Sequence, residues 1–60
     1  MAETLIPLET VEQQIHVKRT KIYKMIAAGE FPRPVKIGSA SRWPQSKVEA
    51  WIAERVAATD

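Results

Sequence analysis

Val17-Lys18-Arg19-Thr20-Lys21-Ile22-Tyr23-Lys24-Met25-Ile26 reads as a short helix with one apolar and one cationic face. At about 100° per residue, Ile22, Met25 and Ile26 gather on one side, and Thr20, Lys21, Lys24, Ala27 and Ala28 on the other. Lys21 and Lys24, three apart, project together, and Thr20 adds a short hydroxyl able to bond a phosphate or a base edge. Ala27 and Ala28 would let a large partner come close. Arg19 lies toward the apolar side by angle, but its long stem can swing outward from a helix end.

The charge around this helix is concentrated. From His16 to Arg42 seven basic residues (Lys18, Arg19, Lys21, Lys24, Arg33, Lys36, Arg42) stand against one acid, Glu30, a local balance of +6. The remainder holds Lys47 and Arg55 against six acids, a balance of −4, so the overall +2 conceals a polar molecule. Cations gathered on one helix and the segment after it are the footprint of a protein that meets a polyanion, most simply nucleic acid. A solvated basic helix face is the plainer explanation. Against it, Lys18, Arg19 and Lys21 crowd the positive end of the helix dipole, a placement that costs roughly 0.3 to 1 kcal/mol per charge. A phosphate there would accept backbone N–H groups and neutralise the side chains, turning that cost into binding energy.

Around this segment the pattern predicts two more helices and a hairpin. Leu8, Val11 and Ile15 recur at helical spacing, with Glu9 and Glu12 in the early turns, so a first helix covers about 8–15. The basic helix covers about 18–28 and is stopped by Gly29, Pro32 and Pro34. Only His16 and Val17 separate the two, which forces a sharp turn. Val35 and Ile37 alternate with Lys36, and Ser41 and Trp43 with Arg42, across Gly38-Ser39-Ala40. This predicts a two-stranded hairpin over about 35–43 with Lys36 and Arg42 sharing its outer face. Pro44 and the capping-box pattern Ser46-x-x-Glu49 open a third helix over about 45–57, whose apolar stripe is Val48, Trp51, Ile52 and Val56. Leu5-Ile6 reads as a short extended entry strand.

Sixty residues make one domain, 1–60, and a domain this small buries only about 60% of its unfolded surface. The stripes must therefore share one core: Leu8, Val11, Ile15, Val17, Ile22, Ile26, Phe31, Val35, Ile37, Trp43, Val48, Trp51 and Ile52. The expected fold is mainly α, a three-helix winged helix-turn-helix with a two-stranded β-hairpin wing. In such modules the second helix enters the major groove and the wing meets the neighbouring backbone or minor groove.

The candidate DNA-binding residues are thus Lys18, Arg19, Thr20, Lys21, Tyr23 and Lys24 on the helix and Lys36, Ser39, Ser41 and Arg42 on the wing. Arginine suits a two-bond grip on guanine O6 and N7, which marks Arg19. Tyr23 sits at the edge of the stripe, its ring packed and its hydroxyl meeting either water or a phosphate. Charge on the wing also serves solubility in any exposed hairpin. Arg33 reads as a loop charge, His16 as a turn residue, and Trp43 and Trp51 as core rather than stacking platforms.

The order Ile22-Tyr23-Lys24-Met25-Ile26, Ala28-Gly29-Glu30-Phe31-Pro32, Val35-Lys36-Ile37-Gly38, Arg42-Trp43 and Val48-Glu49-Ala50-Trp51-Ile52 resembles the AlpA-type prophage regulators. These are similar in turn to excisionases and to the DNA-binding part of MerR-like regulators. The resemblance covers nearly the whole chain. It implies a small winged helix-turn-helix that binds duplex DNA, as a transcriptional regulator of an integrase-type phage gene or as an excision factor that bends recombination-site DNA. By that implication Arg19, Thr20, Lys21, Tyr23 and Lys24 lie on the recognition helix, and Lys36, Ser39, Ser41 and Arg42 on the wing. Two positions depart from the family pattern: His16 stands where Gly is usual in the turn, and Lys18 where Ser usually caps the recognition helix. Histidine accepts left-handed geometry less freely than glycine. Lysine offers no acceptor, a loss of about 1 kcal/mol that would fray the helix until DNA arrives.

Other function classes have less support. There is no cysteine and only one histidine, so neither a disulfide nor a structural zinc site is expected, nor any cofactor. Ser39, Ser41 and Ser46 have no paired base and no phosphate-cradling glycine motif is present, so an enzyme with a small-molecule substrate is not expected. Unpaired-RNA recognition would need exposed aromatic platforms. A packaging-initiation module like small terminase subunits, or an interaction module for an acidic protein, remain as rivals. One module reads few base pairs, so a homodimer or cooperative copies on adjacent DNA sites are expected, with the surface around Trp51 and Val56 one place for self-association. No membrane span or signal-peptide layout is evident, which points to a complete cytoplasmic chain, nucleoid-associated when on DNA.

Overall fold

Leu5–Pro7 (β1), Leu8–Ile15 (α1), Arg19–Ala27 (α2), Val35–Ile37 (β2), Ala40–Pro44 (β3) and Gln45–Thr59 (α3) follow one another in the computed structural model, which describes residues 3–59. The three strands form one antiparallel sheet in the order β1-β3-β2. The hairpin is thereby widened to three strands by the Leu5-Ile6 entry segment. This is a small, mainly helical domain compatible with a winged helix-turn-helix.

Each helix end has a visible cause. α1 stops because His16 takes left-handed geometry (φ 56°, ψ 40°) and donates its N–H to the Glu12 carbonyl at 2.8 Å. α2 ends in a Schellman arrangement, with Gly29 at φ +76°. There Gly29 N–H donates to Ile26 O at 3.0 Å and Glu30 N–H to Met25 O at 2.7 Å. The hairpin turns at Gly38 (φ +61°) and Ser39, glycine being needed at the first central position of a type II′ turn.

α3 starts differently from expectation. Ser46 lies inside the helix, and its N–H and hydroxyl donate to the Glu3 carboxylate at 3.2 and 2.6 Å. Glu49 receives the Gln45 amide at 3.3 Å instead of closing a capping box. The cap is supplied from the two residues just before β1, because Gln45 N–H also donates to Thr4 O at 2.7 Å and so holds that segment against the helix start.

The core consists of Ile6, Val11, Ile22, Met25, Phe31, Trp43 and Val48, with Leu8, Ile15, Val17, Ile26, Trp51 and Ile52 packed partly buried around it. Ile6 and Met25 join a core that otherwise follows the predicted stripes. Val35 and Ile37 do not join it: they are 44% and 53% exposed. The register explains why. Val35 lies opposite Arg42, Lys36 opposite Ser41, and Ile6 opposite Trp43. Directly opposed residues share a face, so Lys36 lies on the Trp43 side and Val35, Ile37 and Arg42 on the outer side. The expectation that Lys36 and Arg42 share a face is therefore corrected.

Both tryptophans secure the loop after α2. Trp43, fully buried, donates its indole N–H to Pro32 O at 3.0 Å. Trp51 packs edge-on to Phe31 with ring centroids 5.0 Å apart. A reciprocal amide pair between Gln14 and Gln45, at 3.0 and 3.1 Å, links α1 to α3. Beyond Ile52 the third helix runs exposed to Thr59, and Val56, at 58% exposure, does not extend the buried stripe.

Candidate nucleic-acid interface

α2 buries Ile22 and Met25 and presents Thr20, Lys21, Lys24, Ala27 and Ala28 to solvent, the division expected from the helical period. Lys18 occupies the N-cap in extended geometry and makes no side-chain cap bond. The missing acceptor comes from α1. Glu12 Oε2 accepts the Arg19 backbone N–H at 2.8 Å and lies 3.6 Å from the Arg19 Nε. The helix start is thus held by an acid seven residues upstream, which pairs with Arg19, one of the three cations crowded there. Sequence spacing alone did not single out Glu12, because its reach to Arg19 depends on the left-handed turn at His16.

Four of the ten candidate residues come together in one groove. Arg19 and Tyr23 from α2 and Ser41 and Arg42 from β3 line it, above Pro7, Leu8 and Glu9. Tyr23 is 45% exposed, and its hydroxyl makes no protein hydrogen bond among the described residues, so it is available to solvent or a ligand. Glu9 was not a candidate from sequence, yet it adds a carboxylate to this cationic groove. Lys18 lies instead in a second groove with Glu12, Gln13, His16 and Val17, and Glu9 and Arg19 border both grooves.

On the wing, Lys36 Nζ donates to Ser41 Oγ at 2.9 Å, and Arg42 Nη1 donates to the Ser41 carbonyl at 2.9 Å. Ser41 therefore organises both wing cations although they leave from opposite faces. Ser39 is exposed in the hairpin turn. The arrangement offers an exposed cationic helix face, a groove where that helix meets the sheet, and a hairpin beside it. Among the described residues no cluster of three His, Cys, Asp or Glu side chains is placed to hold a metal ion. None of the described helices is long and apolar enough to cross a membrane.

Comparison with known proteins points the same way. "Uncharacterized protein ORF88" of Enterobacteria phage P4 is 43% identical over 42 residues, which are 68% of this chain and 48% of that protein. The chain thus spans about half the length of this relative. No solved structure gives a significant match. The family model described as prophage CP4-57 regulatory protein (AlpA) matches residues 4–56, nearly the whole chain. From Thr4 in the segment that caps α3 to Val56 on that helix, the match takes in every strand, both helices of the turn and the wing, and the chain belongs to the AlpA family of prophage regulatory proteins.

Proposed function

We propose that this chain binds double-stranded DNA sequence-specifically, as a transcriptional regulator of an integrase-type phage gene or as an excision factor. In this reading α2 docks in the major groove, with Arg19 reading a base edge and Thr20, Lys21, Tyr23 and Lys24 contacting backbone or bases. Lys18 contacts the DNA backbone through its own side chain, outside the helix start that Glu12 occupies. The hairpin lies on the adjacent backbone or minor groove through Lys36, Ser39, Ser41 and Arg42. It acts by docking alone, in the cytoplasm where DNA is accessible, with two or more copies on neighbouring sites.

One observation carries the reading: Arg19 and Tyr23 of α2 and Ser41 and Arg42 of β3 line a single groove beside the exposed Thr20, Lys21 and Lys24. A solvated basic helix has no reason to be continuous with the side chains of a hairpin, whereas a helix in the major groove requires flanking contacts at that position.

The test is selection of duplex oligonucleotides from a random pool, followed by salt titration on the selected sequence. With about six phosphates neutralised, log affinity falls against log salt with a slope near −5. Failure to enrich any sequence, with equal binding of other polyanions, would instead favour a module for an acidic protein.

A further inference from the structure

The DNA reading of α2 gives no role to Glu12, yet that residue holds the start of the helix and its exposed Arg19. Glu12 is fixed at two points. Its carbonyl accepts the His16 N–H at 2.8 Å, and its carboxylate accepts the Arg19 N–H at 2.8 Å. Its side chain is 20% exposed, whereas that of Arg19 is 63% exposed. The ion pair runs through Nε, the inner nitrogen of the guanidinium. Among the described residues the Arg19 Nη atoms make no hydrogen bond, so the outer edge that forms paired bonds to a base or phosphate is available.

We propose that Glu12 is a positioning residue that sets the sequence selectivity of Arg19, an inference that rests on α2 being the DNA-reading helix. Two physical effects follow from the geometry. An uncapped helix start bearing Lys18, Arg19 and Lys21 would attract any backbone phosphate, a contact without sequence information. The Glu12 carboxylate fills that position and repels phosphate, which weakens binding to arbitrary DNA. The same carboxylate steadies a long side chain that must otherwise be ordered on binding, and directs its outer edge away from α1. Selectivity is a difference of affinities, and Glu12 acts on both sides of it.

Glu12→Gln separates charge from capping, because a glutamine oxygen still accepts the Arg19 N–H. Affinities of the full chain are measured for the duplex selected by the wild type and for a scrambled duplex of equal length. The variant is expected to bind the scrambled duplex about threefold more tightly, with a salt slope steeper by about one. The ratio of selected to scrambled affinity is expected to fall about tenfold, a part of what one two-bond base contact supplies. In an Arg19→Ala background the ratio is expected to be unaffected by the substitution at Glu12. Equal loss on both duplexes, or an unchanged ratio, would overturn the role of Glu12 while leaving the DNA reading in place. If the wild type selects no duplex, the reading and the inference fall together. Should Glu12→Gln fail to fold, the same comparison is made in a Lys18→Ser background, where the serine caps the helix locally, and the same ratio decides.

Discussion

Trp51 donates its indole N–H to the Glu30 carbonyl at 2.7 Å, joining α3 to the loop that closes α2. The Arg55 guanidinium lies 4.9 Å from the Trp51 ring centroid, covering it from the solvent side. Together with Trp43 on Pro32, this contact makes the residue 29–32 loop the joint between the basic helix and the rest of the core. Trp51→Phe keeps an aromatic ring against Phe31 and removes the donor, at an expected cost of about 1 kcal/mol. Trp43→Ala empties a fully buried site and is expected to cost about 3 to 5 kcal/mol. In a domain this small that is most or all of the stability. Urea unfolding followed by circular dichroism separates the two: a measurable midpoint shift for the first, and no folded baseline for the second.

His16 pays for its left-handed backbone. A side chain at φ 56° costs about 1 to 2 kcal/mol relative to ordinary geometry, and glycine there would lose about 0.5 to 1 kcal/mol through its freer unfolded state. The balance favours His16→Gly by about 0.5 to 1 kcal/mol. Thermal unfolding is expected to show a higher Tm for this variant. Gly29→Ala provides the opposite sign: nothing lies within 4 Å of the added Cβ, so its destabilisation reports backbone geometry alone.

The sheet register makes a contrasting pair of predictions. Ile6→Ala removes side-chain atoms from the buried face and is expected to cost about 2 to 5 kcal/mol. Ile37→Thr acts on the outer face and is expected to stay within about 0.5 kcal/mol of wild type. Denaturant midpoints for the two variants check this. Comparable losses for both would mean that the hairpin packs in the opposite phase.

Much of the fold is legible in the sequence because the helices carry apolar stripes and α2 is closed by Gly29, although the stop of α1 at His16 carries no glycine or proline signal. The buried side of α2 follows from Ile22, Met25 and Ile26 alone. The strands are too short for such certainty: three residues of alternation, Val35-Lys36-Ile37, look identical whichever face is buried. Only pairing with Ala40–Pro44 decides the phase. The caps were hidden for another reason. Glu3 and Glu12 act on Ser46 and Arg19 across the fold, and local motifs such as Ser46-x-x-Glu49 cannot reveal an acceptor that arrives from a different element. Of the candidate site, the basic helix face was visible at once, whereas the meeting of Arg19 and Tyr23 with Ser41 and Arg42 needed three dimensions.

The Glu3 cap predicts a pH dependence. Hydrogen bonds from the Ser46 hydroxyl and N–H hold the Glu3 carboxyl below its ordinary value of 4.5. A carboxylate lowered in the folded state contributes stability that is fully present above the unfolded value and lost as pH falls through the folded one. The Tm difference between wild type and Glu3→Gln is therefore expected to be constant near neutrality and to shrink below about pH 4.5. A difference that persisted unchanged at strongly acidic pH would show that the Glu3 charge contributes nothing to the cap.

Lys24 and Arg19 should fail in different ways, because they occupy different places on α2. Lys24 lies on the exposed face, a turn beyond the helix start, and carries a compact charge on a flexible stem that suits a phosphate. Lys24→Ala is expected to weaken selected and scrambled duplexes alike and to reduce the salt slope by about one. Arg19 lies in the groove shared with the wing, where its planar end can meet a base edge. Arg19→Ala is expected to cost roughly 1 to 3 kcal/mol on the selected duplex and to relax preference at one base pair. Equilibrium binding to a panel of singly substituted duplexes distinguishes the two: parallel displacement of the whole panel for Lys24, and flattening at a single position for Arg19. Parallel displacement for both would reduce Arg19 to a backbone contact.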